Sequence, residues 1–135
     1  MSNIGHTTGD ESEEDLQASQ QRKFQKELNG GIVALVLLSI LAGASEPLYG
    51  YQIAKQMERD GAGTAIMKQG TLYPVLRSLS AGGFLESHVE PSVAGPPRRY
   101  YRITPAGRAV LAQWQTAWTL TRDFVDDILK ENSHE

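Results

Sequence analysis

Five residues within one stretch, KQGTLYPVLR at 68–77, carry groups that bind rather than pack: Lys68, Gln69, Thr71, Tyr73 and Arg77. Thr71 and Tyr73 offer neutral hydroxyls suited to phosphates or base edges, and Gln69 can pair with adenine. Lys68 and Arg77 add positive charge. A second set follows the Gly-Pro-Pro at 95–97: Arg98, Arg99 and Arg102. Prolines limit the freedom of the free loop, and arginines presented by it can bind phosphates or enter a narrow minor groove. Blander roles compete: Thr71 as a helix cap, Tyr73 packed on the neighbouring hairpin, Arg99 paired with an acid inside the domain. A third set is Trp114 and Trp118, four residues apart. They could stack an aromatic ligand, although core packing is the commoner use of tryptophan at helical spacing.

Catalytic chemistry finds no support in the pattern. His6, His88 and His134 are far apart, and no serine, histidine and acid fall at the spacing of a triad, so neither a triad nor a metal site is expected. The chain has no cysteine, which removes disulfides and thiolate metal sites. GAG at 61–63 and NGG at 29–31 lack the Lys-Ser/Thr of a phosphate loop. No enzyme and no cofactor are expected.

The 135 residues suit one domain with arms, and 40% hydrophobic content suits a globular chain. The net charge of −3 is unevenly spread: residues 1–27 carry −3, residues 28–104 carry +2 and residues 105–135 carry −2. The candidate binding residues thus lie in the basic part. The apolar run at 32–44 is shorter than the roughly 20 residues that span a bilayer. It also begins too far from Met1 for a signal peptide. A soluble, cytoplasmic protein is expected.

The elements that must position these residues follow from pattern. Residues 1–27 read as an acidic flexible tail with a short arm helix over 16–28. The run from Ile32 to Ala42 reads as a buried helix. Residues 49–60 and 71–81 make two more helices, with Pro74 tolerated in the first turn of the latter. Residues 84–90 and 98–104 alternate as strands around a turn rich in proline and glycine. Arg99, Tyr101 and Ile103 fall on one face, and Arg98, Tyr100 and Arg102 on the other. Thr104 caps a last helix that opens on Pro105 and runs to about residue 130. Leu111, Trp114, Trp118, Val125 and Ile128 form its seam, with Thr121 interrupting. Residues 131–135 form a flexible end. The fold class is mainly α: a winged helix-turn-helix domain over 28–104, with a two-stranded wing and a long C-terminal dimerisation helix over 105–130. In such a domain the third helix enters the major groove by its N-terminal residues.

YGYQIAKQM, GTLYPVLRSL, GPPRRYYRIT and PAGRAVL, in this order, closely resemble the PadR family of bacterial transcriptional regulators, over about residues 28–112. The single C-terminal helix is similar to that of the smaller subclass. The resemblance implies a dimer on double-stranded DNA that usually represses promoters. It also implies, in many members, release by a small aromatic or drug-like effector. By motif, Tyr49 opens the second helix, Thr71 and Tyr73 front the recognition helix, and Arg98 lies at the wing. The expected DNA-binding set is Tyr49, Lys68, Gln69, Thr71, Tyr73, Arg77, Arg98, Arg99 and Arg102, with Trp114 and Trp118 as effector residues. Three departures stand out: Ser80 where a Glu is usual, Ala94 where a Gly is common, and a longer, more acidic N-terminal arm. The expected function is a homodimeric repressor on a roughly palindromic operator. A winged-helix protein-interaction module, or an activator or dual regulator with the same DNA contacts, is the alternative.

Overall fold

The computed structural model describes residues 9–58 and 69–133. Lys68, His6, His134 and the GAG at 61–63 lie outside the described residues. In chain order the elements are α1 (Gly9–Gly43), β1 (Leu48–Tyr49), α2 (Gly50–Met57), α3 (Gln69–Ala81), β2 (Leu85–Glu90), β3 (Arg98–Ile103) and α4 (Pro105–Ser133).

The core follows the three- and four-residue spacing of apolar side chains. Val33, Leu37, Leu38 and Leu41 enter it from α1, Ile53 and Met57 from α2, and Leu72, Leu76 and Leu79 from α3. Leu85, Tyr101 and Ile103 cover it from the sheet, and Leu111 closes it from α4. Each fully buried aliphatic side chain contributes about 1.5–3 kcal/mol, so α3 is held by three such anchors along one face.

Three expectations need correction. First, α1 is one continuous helix from Gly9 to Gly43, so the arm helix and the core helix are not separate; the tail expected over 1–8 lies outside the described residues. Asn29-Gly30-Gly31 does not interrupt it. Two glycines cost about 1 kcal/mol each in a helix, which the flanking helix formers and the buried C-terminal half outweigh. Gln25 Nε2 also donates to Asn29 Oδ1 at 2.8 Å, one turn on. The segment Ser12–Gly43 is therefore long and apolar enough to cross a membrane by length and composition, yet its most apolar face is spent on the core. Second, α3 begins at Gln69, so Pro74 lies inside the helix, beyond its first turn. It removes one hydrogen bond to the carbonyl four residues back. Third, the sheet has three strands in the order β1-β3-β2, all antiparallel. Leu48 pairs with Tyr101 and Tyr49 with Tyr100, which ties the start of α2 to the wing.

The two joints that orient α3 and α4 are local. Phe84 N donates to the Leu79 carbonyl and Gly83 N to the Ser80 carbonyl, both at 3.0 Å. With Gly83 at φ +82, this pair ends α3 in a left-handed turn that favours glycine. Thr104 Oγ1 then accepts from Gly107 N at 3.0 Å and donates to the Gly83 carbonyl at 2.7 Å. One threonine therefore caps α4 and fastens it to the end of α3, as its sequence position predicts.

Candidate nucleic-acid interface

On α3, Leu72, Leu76 and Leu79 face inward, leaving Thr71, Pro74, Arg77 and Ser78 exposed along the opposite stripe. Thr71 and Arg77 are thus free to meet a partner. Gln69 opens the helix, and its side chain lies outside the described residues, as does Lys68. Tyr73 is half exposed. Its ring lies against the start of α2, close enough that a Cβ on Gly50 would come within 2.6 Å of its hydroxyl, and it also lines a cleft with Ser87, Arg99 and Tyr101 of the wing.

The wing splits its arginines by strand alternation. On the outer face, Arg98 lies over the Tyr49 ring, 4.4 Å from its centroid. Tyr49 meets the Tyr100 ring edge-on at 5.3 Å, and His88 stacks on Tyr100 at 5.6 Å. A cation over an exposed aromatic ring contributes about 0.5–1 kcal/mol, so Arg98 is oriented while its N–H donors stay available. Arg102, on the same face, donates through Nε to Glu86 Oε1 at 2.8 Å and forms an ion pair with it. That pair already neutralises the charge expected to serve DNA.

Arg99 points to the inner side. Among the described residues no acid meets it: its guanidinium donates to Ser87 Oγ at 3.0 Å. It joins Tyr73, Arg77, Ser80, Ser87 and Tyr101 around an open cleft of about 690 Å³ between α3 and the sheet. Burial raises the Tyr101 phenol pKa, opposed by the positive charge of Arg99, reinforced by Tyr73 and opposed again by Arg77. Both guanidiniums therefore act electrostatically on one buried hydroxyl. Ser80 and Ser87 were absent from the expected site; only the alternation that set Ser87 beside Leu85 and Val89 pointed to the latter.

The expected site thus resolves into three groups: a helix stripe (Thr71, Arg77), an outer wing cluster (Tyr49, Arg98, with Arg102 engaged) and an inner cleft (Tyr73, Arg77, Arg99). Trp114 and Trp118 lie apart from all three. Trp114 packs edge-on against Phe84, with centroids 6.1 Å apart. With Trp118 it lines a groove of about 500 Å³ between α1 and α4, floored by Gly30, Gly31 and Leu35.

This arrangement of core, recognition helix and wing matches a known family. The model of the transcriptional regulator PadR-like family covers residues 37–113, more than half of the chain. The chain belongs to the PadR-like family. Transcriptional regulator Rv3488 of Mycobacterium tuberculosis is 35% identical over 114 residues, which span 84% of this chain and 94% of that protein. A transcriptional regulator from Clostridium thermocellum superposes with a TM-score of 0.66 at 29% identity, over 75% of this chain and 96% of that one. A PadR-family regulator from Eggerthella lenta gives 0.63 at 29% identity, over 87% and 96%. This PadR-family protein is a DNA-binding transcriptional regulator with a mainly helical winged-helix fold, and not an enzyme.

Proposed function

We propose that this PadR-family regulator is a cytoplasmic homodimer that represses transcription from a roughly palindromic operator. The observation that carries the dimer is the outer face of α4. Leu120, Phe124, Val125, Ile128 and Leu129 are all exposed there, with Phe124 at 65%. A contiguous apolar face of this kind is a liability in water and is covered by pairing with its own copy. A two-fold pair presents two α3 stripes to successive major grooves, about 34–36 Å apart. Repression needs nothing further, because an occupied operator excludes other proteins from the same duplex.

The groove that holds Trp114 and Trp118 suits a flat aromatic effector, since it lies on the same helix that the dimer pairs. Quenching of tryptophan fluorescence by an aromatic ligand is expected to vanish when both tryptophans are replaced in a protein that still dimerises.

The test of the whole reading is fluorescence anisotropy with the duplex upstream of the protein's own gene, against a scrambled duplex, at two salt concentrations. Light scattering of the complex gives stoichiometry. Two chains on the upstream duplex and weak, salt-sensitive binding to the scrambled one are expected. Equal affinity for both duplexes, or one chain per duplex, would sink it.

A further inference from the structure

We propose that the cleft between the recognition helix and the inner side of the wing is a phosphate-binding site, in which Arg77 and Arg99 clamp one phosphoryl oxyanion. Three independent observations carry it. Two guanidiniums from different elements line one cleft, and among the described residues no carboxylate lines it with them. Among the described residues, Arg102 is already paired with Glu86, while Arg98 is held over the Tyr49 ring on the opposite face of the wing. Arg99 uses one donor on Ser87 Oγ and keeps its others. Lastly, Ser80 Oγ is buried on the cleft wall with no hydrogen-bond partner among the described residues. A buried hydroxyl without a partner is costly, and a turn of this side chain toward the cleft would let it donate to an anion held by the two arginines.

The chemistry this combination selects is a tetrahedral oxyanion. Guanidinium forks match phosphate oxygens with paired N–H donors, and the serine hydroxyls and the half-exposed Tyr73 hydroxyl supply neutral donors around them. An apolar ligand would leave the cations unpaired, and a metal ion would be repelled. The occupant is either a phosphate of the DNA backbone or a free phosphorylated small molecule. The first form rests on the operator-binding reading, and the second does not.

Ser80→Glu is the discriminating variant, because it plants a carboxylate between the two cations and fills the site from within. The full chain, labelled so that the Arg77 and Arg99 Nε–H signals are seen by NMR, is titrated with inorganic phosphate against chloride at matched ionic strength. Saturable shifts of both signals are expected in the natural chain. They weaken by about tenfold or more, the equivalent of one charged hydrogen bond, in Ser80→Glu and in Arg77→Gln. Ser80→Ala, which keeps both cations, retains most of the binding. Phosphate shifts no larger than those of chloride, or shifts of equal affinity in Ser80→Glu, overturn the proposal. If Ser80→Glu unfolds by circular dichroism, Arg77→Gln alone decides on the same criterion. The source is read next. If operator DNA moves the same two signals and Ser80→Glu lowers the salt slope by about one unit, the occupant is a backbone phosphate. If phosphate binds but operator DNA leaves the signals unmoved, the occupant is a free phosphorylated molecule. A natural chain that binds phosphate but does not distinguish operator from scrambled duplex breaks the operator reading alone.

Discussion

The two sides of the wing both carry arginine and use it differently. On the outer side, Arg98 rests on Tyr49 and Arg102 is tied to Glu86, while His88 pairs with Glu90 and stacks on Tyr100. On the inner side, Arg99 and Arg77 line one cleft with no acid on its walls among the described residues. The run RRYYR puts these arginines one and three residues apart, and strand alternation alone decides which side each joins. A count of basic residues treats them as equal. Their neighbours differ: Arg102 is paired with Glu86, Arg98 rests on a ring with its N–H donors available, and Arg99 shares a cleft with a second guanidinium. An exposed pair such as Arg102–Glu86 contributes at most about 1 kcal/mol to stability.

The comparison depends on both sides sharing one support, and the most disruptive change removes it. Leu76 is fully buried beneath α3, packed in the cluster that also holds Tyr101 and Ile103 of the wing. Leu76→Ala should cost about 2–5 kcal/mol, read as a fall in the urea midpoint, and should lower DNA affinity at temperatures where the variant begins to unfold. A loss under about 1 kcal/mol would mean that α3 is held by something other than this core.

Separate changes on the two sides should then diverge. Arg99→Gln is expected to lower the slope of log affinity against log salt by about one unit, the effect of losing one phosphate contact. Arg102→Gln should change the slope by clearly less, because Glu86 already neutralises that charge. The reverse order would show that the Arg102–Glu86 pair opens on DNA and that the inner cleft is a bystander.

Much of this was legible from the residues. The wing's two strands, the Thr104 cap and the helical core followed from alternation, cap chemistry and three- and four-residue spacing, all of them local signals. What escaped notice depends on contacts between distant segments. The two-residue strand at Leu48–Tyr49 has no pattern of its own and exists only because β3 offers it partners. Gly30 and Gly31 read as a break, yet the helix continues through them because both flanks are strongly helical. Ser80 and Ser87 became site residues only when α3 was laid against the sheet, since nothing in a lone serine marks it as lining a cleft. The carboxylate partner of Arg102 lies sixteen residues away, on the other strand, where no local pattern marks it.

A smaller effect is expected where α2 meets the inner side. The Cβ of Gly50→Ala would lie 2.6 Å from the Tyr73 hydroxyl and 2.9 Å from its ring. Tyr73 is half exposed and free to swing away, so stability should change by only about 1 kcal/mol or less. DNA affinity should still fall, and Tyr73→Phe should reproduce part of the fall if the hydroxyl is what DNA meets. Unchanged affinity in both variants would confine Tyr73 to packing.

The smallest effect tests the electrostatics of the cleft without any ligand. Burial holds the Tyr101 phenol above its ordinary value of 10.0, and Arg99 and Arg77 oppose that rise. The neutral phenol is therefore favoured by the folded chain. Its contribution to stability is fully present below pH 10.0 and is lost as pH climbs through the raised value. Removing a guanidinium that lowers the pKa should raise it further, so Arg99→Gln should delay phenolate formation at Tyr101 in an alkaline absorbance titration. Arg102→Gln, on the opposite face and tied to Glu86, should leave that titration where it is. Equal behaviour of the two variants would show that both faces share one electrostatic field, and the contrast between the outer and inner sides would no longer hold.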